Sequence, residues 1–448
     1  MERVKSRTLD INDRINTFEE VDLGYNDEEA KTEAERCLNC MNPRCVTGCP
    51  VNIAIPNFIK CIKEDNLEEA YKIIKQSSSL PMICGRVCPQ ERQCEKMCVK
   101  GIKGDAISIG ALERYVADTA YKNNFESIKK ITKNGKKVAI VGSGPAGLSC
   151  AGELLKNGYE VTIYEVLHKA GGVLRYGIPE FRLPKKIVDN EIDSLKRMGA
   201  KIMCNVLIGS TITLDELRST YDYVFIGSGA GLPKFMGIEG EDANEVFSAN
   251  EILTRINLMG SYKSDSKTPI KKVNKAYVIG AGNVAMDAVR SLRRLGIESH
   301  LMYRRSENEI PARKVEVEHA KEEGVIFDLL KNPKRIIKDE NNHVIGMDVV
   351  DMILCDSDSE RKNVIESDVI TRVDCDMVVM ALGTSPNKAL LNSGIIFNDK
   401  GLIEVEESKT NLNNVYAGGD AVTGSATVIL AMEAGVKAAK KIMEEVWN

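Results

Sequence analysis

The fold of this chain is decided by the stretch KKVAIVGSGPAGLSCAGELLKNGYEVTIYE, residues 136–165. A short apolar run leads directly into Gly142-x-Gly144-x-x-Gly147, after which the pattern becomes that of a helix and then of a second strand. In order, the glycines permit a tight turn, let a pyrophosphate approach the backbone and let the helix pack on the strand. The second strand ends at Glu165, whose carboxylate can accept hydrogen bonds from ribose hydroxyls. The alternative, a close-packed turn without a ligand, leaves this acid unexplained, so the stretch predicts a dinucleotide-binding unit.

The same pattern recurs in NKAYVIGAGNVAMDAVRSLRRLGIESHLMYRR, residues 274–305, with alanine as the third small residue of the turn. The second strand of this unit ends in Arg304 and Arg305 instead of an acid. An acid there would repel a 2′-phosphate, whereas arginines bind one, so the unit predicts NADPH in preference to NADH. Arg313, in the loop just beyond, is a candidate third contact. The alternative interpretation of Arg304 and Arg305 is a solvated surface pair.

Length and charge narrow the function classes. The chain has 448 residues and a net charge of -4, which predicts two or three domains and argues against phosphate-backbone binding as the main activity. No apolar run approaches the roughly 18 residues of a membrane span, and the N-terminus MERVKSRTLDINDR lacks the apolar core of a secretion signal. We therefore expect a cytoplasmic protein with neither a nucleic-acid nor a membrane partner. Its 13 cysteines should then be reduced and not paired in disulfides.

The first zone of the chain is rich in cysteine and mostly helical. Helices are predicted from Asp27 toward Cys37, from Pro56 through Ile73, and over residues 107–122. Between the two dinucleotide-binding units lies a polar, lysine-rich stretch, residues 261–272, which predicts a surface loop.

Nine of the cysteines lie between Cys37 and Cys98: eight form two runs, Cys37-x2-Cys40-x4-Cys45-x3-Cys49-Pro50 and Cys84-x3-Cys88-Pro89-x4-Cys94-x3-Cys98, and Cys61 lies between the runs. Thiolates at such spacings can close around a metal centre. The alternatives are structural zinc sites, disulfides and plain buried thiols, and Cys-x2-Cys pairs suit zinc as well. The Cys-Pro endings favour iron–sulfur clusters, because in such runs the last cysteine ligates a second cluster. The other four cysteines are predicted to be small core residues: Cys150, Cys204, Cys355 and Cys375.

Three further segments, 223–229, 378–383 and the Gly-Gly-Asp segment at 415–420, complete a resemblance to the two-dinucleotide flavoproteins of the glutathione-reductase-like type. The resemblance implies an α/β fold with two Rossmann-like domains, FAD on the first unit and NADPH on the inserted second one. Together with the cysteine-rich first zone, it predicts a helical iron–sulfur domain over 1–130, FAD-domain segments over 131–235 and 386–448, and an NADPH domain over 236–385. The implied FAD contacts are Gly142, Ser143, Gly144, Pro145, Ala146, Gly147, Glu165, Gly172, Arg175, Gly419, Asp420, Thr427 and Val428. The implied NADPH contacts are Gly280, Gly282, Asn283, Val284, Ala285, Arg304, Arg305, Arg313 and Gly383.

The match becomes close over residues 18–118, which resemble the N-terminal domain of the glutamate synthase small subunit and of dihydropyrimidine dehydrogenase. It continues through GGVLRYGIP (171–179) and FRLPK (181–185) to the C-terminus, and the loop 171–185 is expected to shape the flavin pocket. This resemblance implies two interleaved [4Fe–4S] clusters. The first would be held by Cys37, Cys40, Cys45 and Cys98, and the second by Cys49, Cys88, Cys94 and a carboxylate that maps to Glu113. Spacing alone favours Cys84 as the fourth ligand of the second cluster, so Glu113 and Cys84 remain alternatives.

No nucleophilic catalytic set stands out, and hydride transfer between a nicotinamide and a flavin needs none. The resemblance implies the NADPH-oxidising small subunit of glutamate synthase, which passes electrons to a large subunit. An alternative is the large subunit of an NADH-dependent ferredoxin:NADP oxidoreductase, or sulfide dehydrogenase, which bifurcates electrons beside a small flavin–[2Fe–2S] subunit and ferredoxin. The stretch from Asn16 to Tyr25 resembles that group. A redox sensor without enzyme activity is a third interpretation, against which the two intact nucleotide motifs argue.

Overall fold

The computed structural model describes residues 2–125, 131–356, 362–387 and 389–445. The N-terminal zone consists of short helices joined by loops that carry the cysteines. It opens with β1 (Arg7–Thr8), α1 (Ile11–Arg14) and β2 (Asp22–Gly24), of which the two strands pair antiparallel. The helices that follow are α2 (Asp27–Glu35), α3 (Arg44–Thr47), α4 (Ile55–Lys63), α5 (Leu67–Ser77), α6 (Pro81–Val87) and α7 (Ile109–Lys122). Two 3₁₀ turns, Gln90–Arg92 and Val99–Ile102, lie between α6 and α7.

The predicted helices near Asp27 and over 107–122 are confirmed as α2 and α7. The prediction of one helix from Pro56 through Ile73 is wrong, because α4 ends at Lys63 and α5 begins at Leu67. Asp65 adopts a left-handed conformation with φ +54°, and the side chain of Asn66 accepts a hydrogen bond from the backbone N–H of Glu69. These two residues end one helix and cap the next, while the apolar spacing continues across the break.

The first dinucleotide-binding unit supplies four strands of a parallel sheet. Its elements are β3 (Lys137–Val141), α8 (Pro145–Lys156), β4 (Glu160–Tyr164), α9 (Val173–Tyr176), α10 (Lys185–Arg197), β5 (Lys201–Met203), α11 (Leu214–Thr220) and β6 (Tyr223–Ile226). β3 is buried apart from its first residue and β6 along its whole length, which is why both read as continuous apolar runs.

The second unit forms another parallel sheet with an antiparallel three-stranded meander beside it. Its elements are β7 (Leu232–Pro233), β8 (Val246–Ser248), α12 (Ala249–Asn257), β9 (Lys275–Ile279), α13 (Asn283–Arg294), β10 (Glu298–Tyr303), α14 (Lys314–Glu322), β11 (Ile326–Leu329), β12 (Lys331–Lys338), β13 (Val344–Cys355), β14 (Asn363–Val373), β15 (Met377–Met380) and β16 (Thr384–Ser385). A 3₁₀ turn spans Glu307–Glu309. The parallel strands lie in the order β11-β10-β9-β15-β8, and the meander in the order β12-β13-β14.

The tail returns to the first sheet as β17 (Val415–Ala417), followed by α15 (Asp420–Thr423) and α16 (Val428–Glu445). β17 pairs with β6 and completes the order β17-β6-β3-β4-β5. The predicted class, two α/β dinucleotide-binding sheets preceded by a helical domain, is confirmed. Residues 261–272 contain neither helix nor strand, as predicted. Within the described ranges, no helix is long and apolar enough to cross a membrane.

All 13 cysteines are free thiols, as predicted. Cys150 and Cys375 are buried core residues. The same prediction is wrong for Cys204 and Cys355, which are only half-buried because the first follows a short, exposed edge strand and the second ends the outlying β13.

Candidate cofactor-binding and iron–sulfur sites

The first glycine-rich turn leaves the N-terminus of a helix open to a ligand. Gly142 has φ +98°, and a Cβ atom there would lie 2.5 Å from the carbonyl oxygen of Gly227, so only glycine fits. Gly144 precedes α8, and no side chain caps that helix. The first N–H groups of α8 therefore keep their hydrogen-bonding capacity for an anion such as a pyrophosphate. Nothing lies within 4 Å of a Cβ built on Gly144, so the approach to the turn is open.

Glu165 is buried at the end of β4 and faces this turn. One carboxylate oxygen accepts hydrogen bonds from the backbone N–H and the hydroxyl of Ser143, the former at 3.0 Å. The other oxygen accepts the N–H of Leu167 at 2.9 Å. An ionised carboxylate offers about four acceptor sites, so Glu165 can hold its turn and still accept a hydroxyl group.

The loop 171–185 and the tail enclose the same turn from two sides. Gly171 donates its N–H to the hydroxyl of Ser143 at 2.9 Å, and a Cβ on Gly172 would lie 2.8 Å from the Cα of Gly144. A Cβ on Gly419 would meet the Cβ of Ala146 at 2.9 Å. These glycines allow three backbone segments to converge beside the N-terminus of α8, in keeping with the predicted flavin pocket.

Asp420 and Tyr176 complete the surroundings of this turn. Burial raises the pKa of Asp420 to about 6, against a hydrogen bond from the N–H of Ala426. Burial, with smaller contributions from Glu165 and Asp420, raises the pKa of Tyr176 to about 12. Tyr176 is therefore close enough to Glu165 and Asp420 for their charges to act on it. Tyr176 was not singled out from the sequence, although its place in the motif GGVLRYGIP was the available signal.

Two of the predicted FAD contacts, Arg175 and Thr427, have partners within the protein, and a third, Val428, lies at the start of a helix. The guanidinium of Arg175 is buried and donates to the carbonyl oxygen of Ala170 at 2.7 Å and to Asp189. The hydroxyl of Thr427 lies 3.4 Å from the backbone N–H of Leu430, and Val428 is the half-buried first residue of α16. Arg175 therefore stabilises the loop 171–185, and Thr427 lies immediately before the helix that covers the site.

The second turn repeats the geometry of the first. Gly280 has φ +123°, and a Cβ there would lie 2.5 Å from the carbonyl oxygen of Ala381. Gly282 precedes α13, which also lacks a capping side chain, and the space above it is open. Ala285 is fully buried and Val284 is exposed. Gly383, exposed with φ +89°, follows β15 at the same edge of the sheet.

The three arginines of the second unit differ in their surroundings. Arg304 is exposed at the end of β10, and within the described ranges it makes no ion pair. Arg305 donates from Nε to the carbonyl oxygen of Lys362 at 2.8 Å. Arg313 instead directs its guanidinium into the cysteine-bearing domain, where it donates to the carbonyl oxygen of Arg86 at 2.9 Å and to Gln90 at 3.0 Å.

Four cysteines, here called the first cysteine group, line one apolar cavity at the protein surface. They are Cys37, Cys40, Cys45 and Cys98. All four are half-buried. Burial, together with the charges of Cys98 and Cys37, raises the pKa of Cys45 to about 11, so these thiols interact electrostatically. The set is the one predicted to hold the first cluster.

The second cysteine group consists of Cys49, Cys88 and Cys94, all of them buried. Burial raises the pKa of Cys94, and the charges of Cys49 and Glu113 raise it further. Glu113 on α7 has one carboxylate oxygen that is fully buried without a hydrogen-bond partner. Burial, with a contribution from Glu191, raises the pKa of this carboxyl to about 8. An orphaned carboxylate beside three thiols fits a position where a metal centre completes the bonding.

Cys84 lies beside the second group and was the alternative ligand. Its sulfur is 3.4 Å from the sulfur of Met432 on α16, and a hydrogen bond with Cys84 contributes to the raised pKa of Cys88. Within the part of the chain that the structure describes, no three Cys, His, Asp or Glu side chains converge tightly enough to hold a single metal ion. In the structure, the cysteines of each group therefore lie near one another but are not arranged as a closed set of metal ligands.

Comparisons with known proteins agree with this arrangement. The family model for the 4Fe–4S domain II of dihydropyrimidine dehydrogenase matches residues 14–125, and that for pyridine nucleotide-disulphide oxidoreductases matches residues 136–435. The glutamate synthase [NADPH] small chain of Escherichia coli K12 is 36% identical, over 95% of this chain and 93% of its own. This chain belongs to the glutamate synthase small-chain family. As a member of that family it is an NADPH-dependent oxidoreductase with FAD and [4Fe–4S] cofactors.

Other members of this family are parts of larger enzymes. The NADP(+)-dependent formate dehydrogenase subunit beta of Moorella thermoacetica is 36% identical over 89% of this chain and 59% of its own length. Among solved structures, FprA of Mycobacterium tuberculosis in complex with NADPH superposes with a TM-score of 0.60 at 19% identity, over 70% of this chain and 85% of its own. That likeness is one of fold.

Proposed function

We propose that this chain is the NADPH-oxidising half of a two-component enzyme of the glutamate synthase type. The observation that carries the proposal is the coexistence of three features: two dinucleotide turns with uncapped helices, the first cysteine group at the surface and the buried second cysteine group. A hydride donor, a flavin and one-electron centres are the parts that such a chain needs to convert two-electron into one-electron transfer.

The first unit would hold FAD. The N-terminus of α8, from Gly142 to Gly147, would bind the pyrophosphate, and Glu165 would accept a ribose hydroxyl while Ser143 keeps it oriented. Gly172, Gly419 and Asp420 would line the ribityl side of the pocket. FAD bound there supplies the acceptance of a hydride and the release of single electrons. The chain's own contribution is to bind the cofactor, orient it and exclude water, for which α16 and the loop 171–185 provide the cover.

The second unit would hold NADPH by the N-terminus of α13, with Arg304 and Arg305 at the 2′-phosphate. Exposed and without an ion pair in the described ranges, Arg304 is the side chain best placed to take a phosphate without first breaking a salt bridge. Gly282 and Asn283 would lie against the pyrophosphate, and Gly383 beside the nicotinamide half.

The two cysteine groups would each hold one [4Fe–4S] cluster. The first group would use its four cysteines, and the second would use Cys49, Cys88, Cys94 and Glu113. The unpartnered carboxylate oxygen of Glu113 supports it over Cys84, whose sulfur already contacts Met432. Because the thiols have raised pKa values, cluster assembly must release protons and should be favoured at higher pH. We further propose a cytoplasmic location, in keeping with these reduced thiols, and the four-part domain division 1–130, 131–235, 236–385 and 386–448.

The ligand assignment is tested by exchanging Glu113 for Ala, with Cys84→Ser as the matched variant. Glu113→Ala should change the electron paramagnetic resonance signal of one cluster and leave the other unaltered, while Cys84→Ser should leave both cluster signals in place. The reverse pattern would assign the fourth position to Cys84. Iron and acid-labile sulfide should amount to about eight atoms each per chain, and a colourless zinc protein would refute both sites.

The partner is tested by reconstitution. We propose a glutamate synthase large subunit as the electron acceptor, and its addition should make NADPH oxidation depend on glutamine and 2-oxoglutarate. Formation of a stable complex with a small flavin–[2Fe–2S] subunit, and reduction of ferredoxin in its presence, would instead support the bifurcating alternative. Either complex can be distinguished from the isolated chain by analytical ultracentrifugation.

A further inference from the structure

Two arginines fasten the NADPH-binding unit to the cysteine-bearing domain from opposite sides. Arg92, in the 3₁₀ turn between Cys88 and Cys94, donates to the carbonyl oxygen of Ala312 at 3.1 Å. Arg313, the residue after Ala312, donates in the opposite direction, to the carbonyl oxygen of Arg86 at 2.9 Å and to the side chain of Gln90 at 3.0 Å. We call this reciprocal pair, Arg92 and Arg313, the arginine clasp.

One end of the clasp lies at the proposed NADPH site. The backbone N–H of Arg313 donates to the side-chain oxygen of Asn283 at 2.9 Å. Asn283 is the first residue of α13, immediately after the second glycine of the turn, where a pyrophosphate would bind. The loop that ends at Arg313 begins at Arg304 and Arg305, so a nucleotide would contact both of its ends.

The other end of the clasp lies at the second cysteine group. Arg86 and Gln90 flank Cys88 in the sequence, two residues to either side. The amide nitrogen of Gln90 donates to the carbonyl oxygen of Cys84 at 3.3 Å. A Cβ on Gly110 would lie 2.3 Å from that same nitrogen, so Gln90 is wedged against α7 less than one turn before Glu113. A shift of the Arg313 guanidinium would therefore displace residues on both sides of the second cysteine group, because the side chains there are closely packed.

Two polar atoms in and beside the clasp are not hydrogen-bonded. Nε of Arg313 and Oε1 of Glu91 are both fully buried without a partner, although Nε lies 3.7 Å from the other carboxylate oxygen of Glu91. A small movement of the loop would bring Nε of Arg313 from 3.7 Å into hydrogen-bond distance of the Glu91 carboxylate, and leaving this buried donor unpaired has a cost. The clasp thus has a second, tighter arrangement within reach.

We propose that Arg313 is a positioning residue that couples occupancy of the NADPH site to the surroundings of the second iron–sulfur cluster. Binding at the turn would pull on Asn283 and Arg304, tighten the clasp and alter the hydrogen bonding around the Cys88 loop, which tunes the potential of a cluster held there. This inference rests on the cluster assignment proposed above. It differs from the role predicted from the sequence, in which Arg313 would touch the nucleotide directly.

The test uses 2′,5′-ADP, which carries the 2′-phosphate and a 5′-phosphate but cannot exchange electrons. The holoprotein is reduced with dithionite, and the electron paramagnetic resonance signals and the midpoint potentials of its clusters are recorded with and without this probe. Adding 2′,5′-ADP should shift one cluster in the unaltered protein. Arg313→Gln should abolish that shift while the Kd for 2′,5′-ADP, measured by calorimetry, changes less than about threefold. Arg313→Lys, which keeps the charge but cannot reach both acceptors, should retain part of the shift.

Two further variants separate coupling from a general loss of structure. Arg92→Gln cuts the other half of the clasp without touching Asn283 and should also weaken the shift, whereas Arg335→Gln, at an exposed ion pair with Asp348, should change nothing. Absence of any shift in the unaltered protein, or a rise of about tenfold or more in the Kd with Arg313→Gln, would overturn the proposal, the latter by making Arg313 a nucleotide ligand. A protein that lacks iron before any nucleotide is added would instead contradict the proposed cluster sites.

Discussion

The two dinucleotide-binding units share their turn geometry, yet their helices are attached to the rest of the protein by different forces. In the first unit, α8 packs directly on α16 through small residues, and a Cβ on Gly435 would lie 2.1 Å from the carbonyl oxygen of Ala146. In the second unit, α13 is held by buried charges. Arg290 and Arg294 both donate to Glu323 at 2.7–2.9 Å, and Asp287 accepts from Arg182 of the FAD-binding segment at 2.6 and 2.8 Å.

Phe181 adds an aromatic contact to this charge network. Its ring lies 4.8 Å from the guanidinium of Arg290 and 3.8 Å from that of Arg294, within the range of a cation–π interaction. Phe18, from the N-terminal segment, packs near the same ring with a centroid distance of 6.3 Å. The N-terminal segment, the FAD-binding segment and α13 therefore meet around the paired arginines and carboxylates.

One fold can in this way serve both a resident cofactor and an exchanging one. Small-residue packing excludes water and encloses the first site under a helix from the far end of the chain, which suits a permanently bound flavin. Directional charge pairs fix the orientation of the second unit without covering its turn, which leaves NADPH free to enter and leave. Substitutions can perturb the packing of the first unit and the charge network of the second unit separately.

The largest effect is expected from Glu323→Gln. This carboxylate is fully buried between two arginines, so its loss leaves an uncompensated buried charge that costs about 3–5 kcal/mol. Hydrogen–deuterium exchange should show α13 and α14 opening, with α8 unaffected. The neighbouring Glu322→Gln removes a half-exposed partner of Arg14 and should cost under about 1 kcal/mol. Equal protection in both variants would contradict the role of the charge network.

Acid should open the second unit before the first. Burial alone would raise the pKa of Glu323, but Arg290 and Arg294 outweigh it and lower that pKa to about 2, below the ordinary value of 4.5. A depressed pKa means that the stabilisation is complete above pH 4.5 and is lost as the pH falls toward 2, by about 3 kcal/mol for this group. Exchange rates measured at pH 6, 4 and 3 should rise in α13 first. Simultaneous opening of both sheets would argue against the contrast.

Gly435→Val should release the flavin. The added side chain forces α16 away from α8, and overpacking of this kind costs about 1–3 kcal/mol. The flavin content after gel filtration should fall about tenfold. Gly282→Ala is the matched change in the second unit, where the new methyl group meets no protein atom within 4 Å, and it should weaken NADPH binding while the flavin stays bound. Flavin loss from Gly282→Ala alone would reverse the assignment of the two sites.

The smallest effect is expected from Arg304→Ala. An exposed phosphate contact is worth about 1–2 kcal/mol, so the Kd for NADPH should rise about tenfold while that for NADH stays constant. Fluorescence titration with each nucleotide measures the ratio. An equal loss for both nucleotides would show that Arg304 does not contact the 2′-phosphate.

The sequence predicts most of the architecture because glycines at fixed spacing and buried apolar runs encode local geometry. The turns at 142–147 and 280–285 and the helices α2 and α7 follow from such local signals. The break between α4 and α5 was missed because Asp65 and Asn66 override an apolar periodicity that continues across them. The contacts of the Arg313 side chain with the cysteine-bearing domain were missed for a different reason. A side chain that reaches into another domain depends on contacts more than 200 residues away, between Arg313 and Arg86 or Gln90.

We propose that NADPH, and not NADH, donates electrons to a flavin that shares this chain with two [4Fe–4S] clusters. It is tested most directly by anaerobic titration of the purified chain with each nucleotide, followed by optical absorbance at the flavin band and by electron paramagnetic resonance. NADPH should bleach the flavin at about one equivalent, NADH should do so with at least about tenfold lower affinity, and chemical reduction should reveal two distinct cluster signals. A flavin that responds to NADH alone, or a protein without iron, would contradict it.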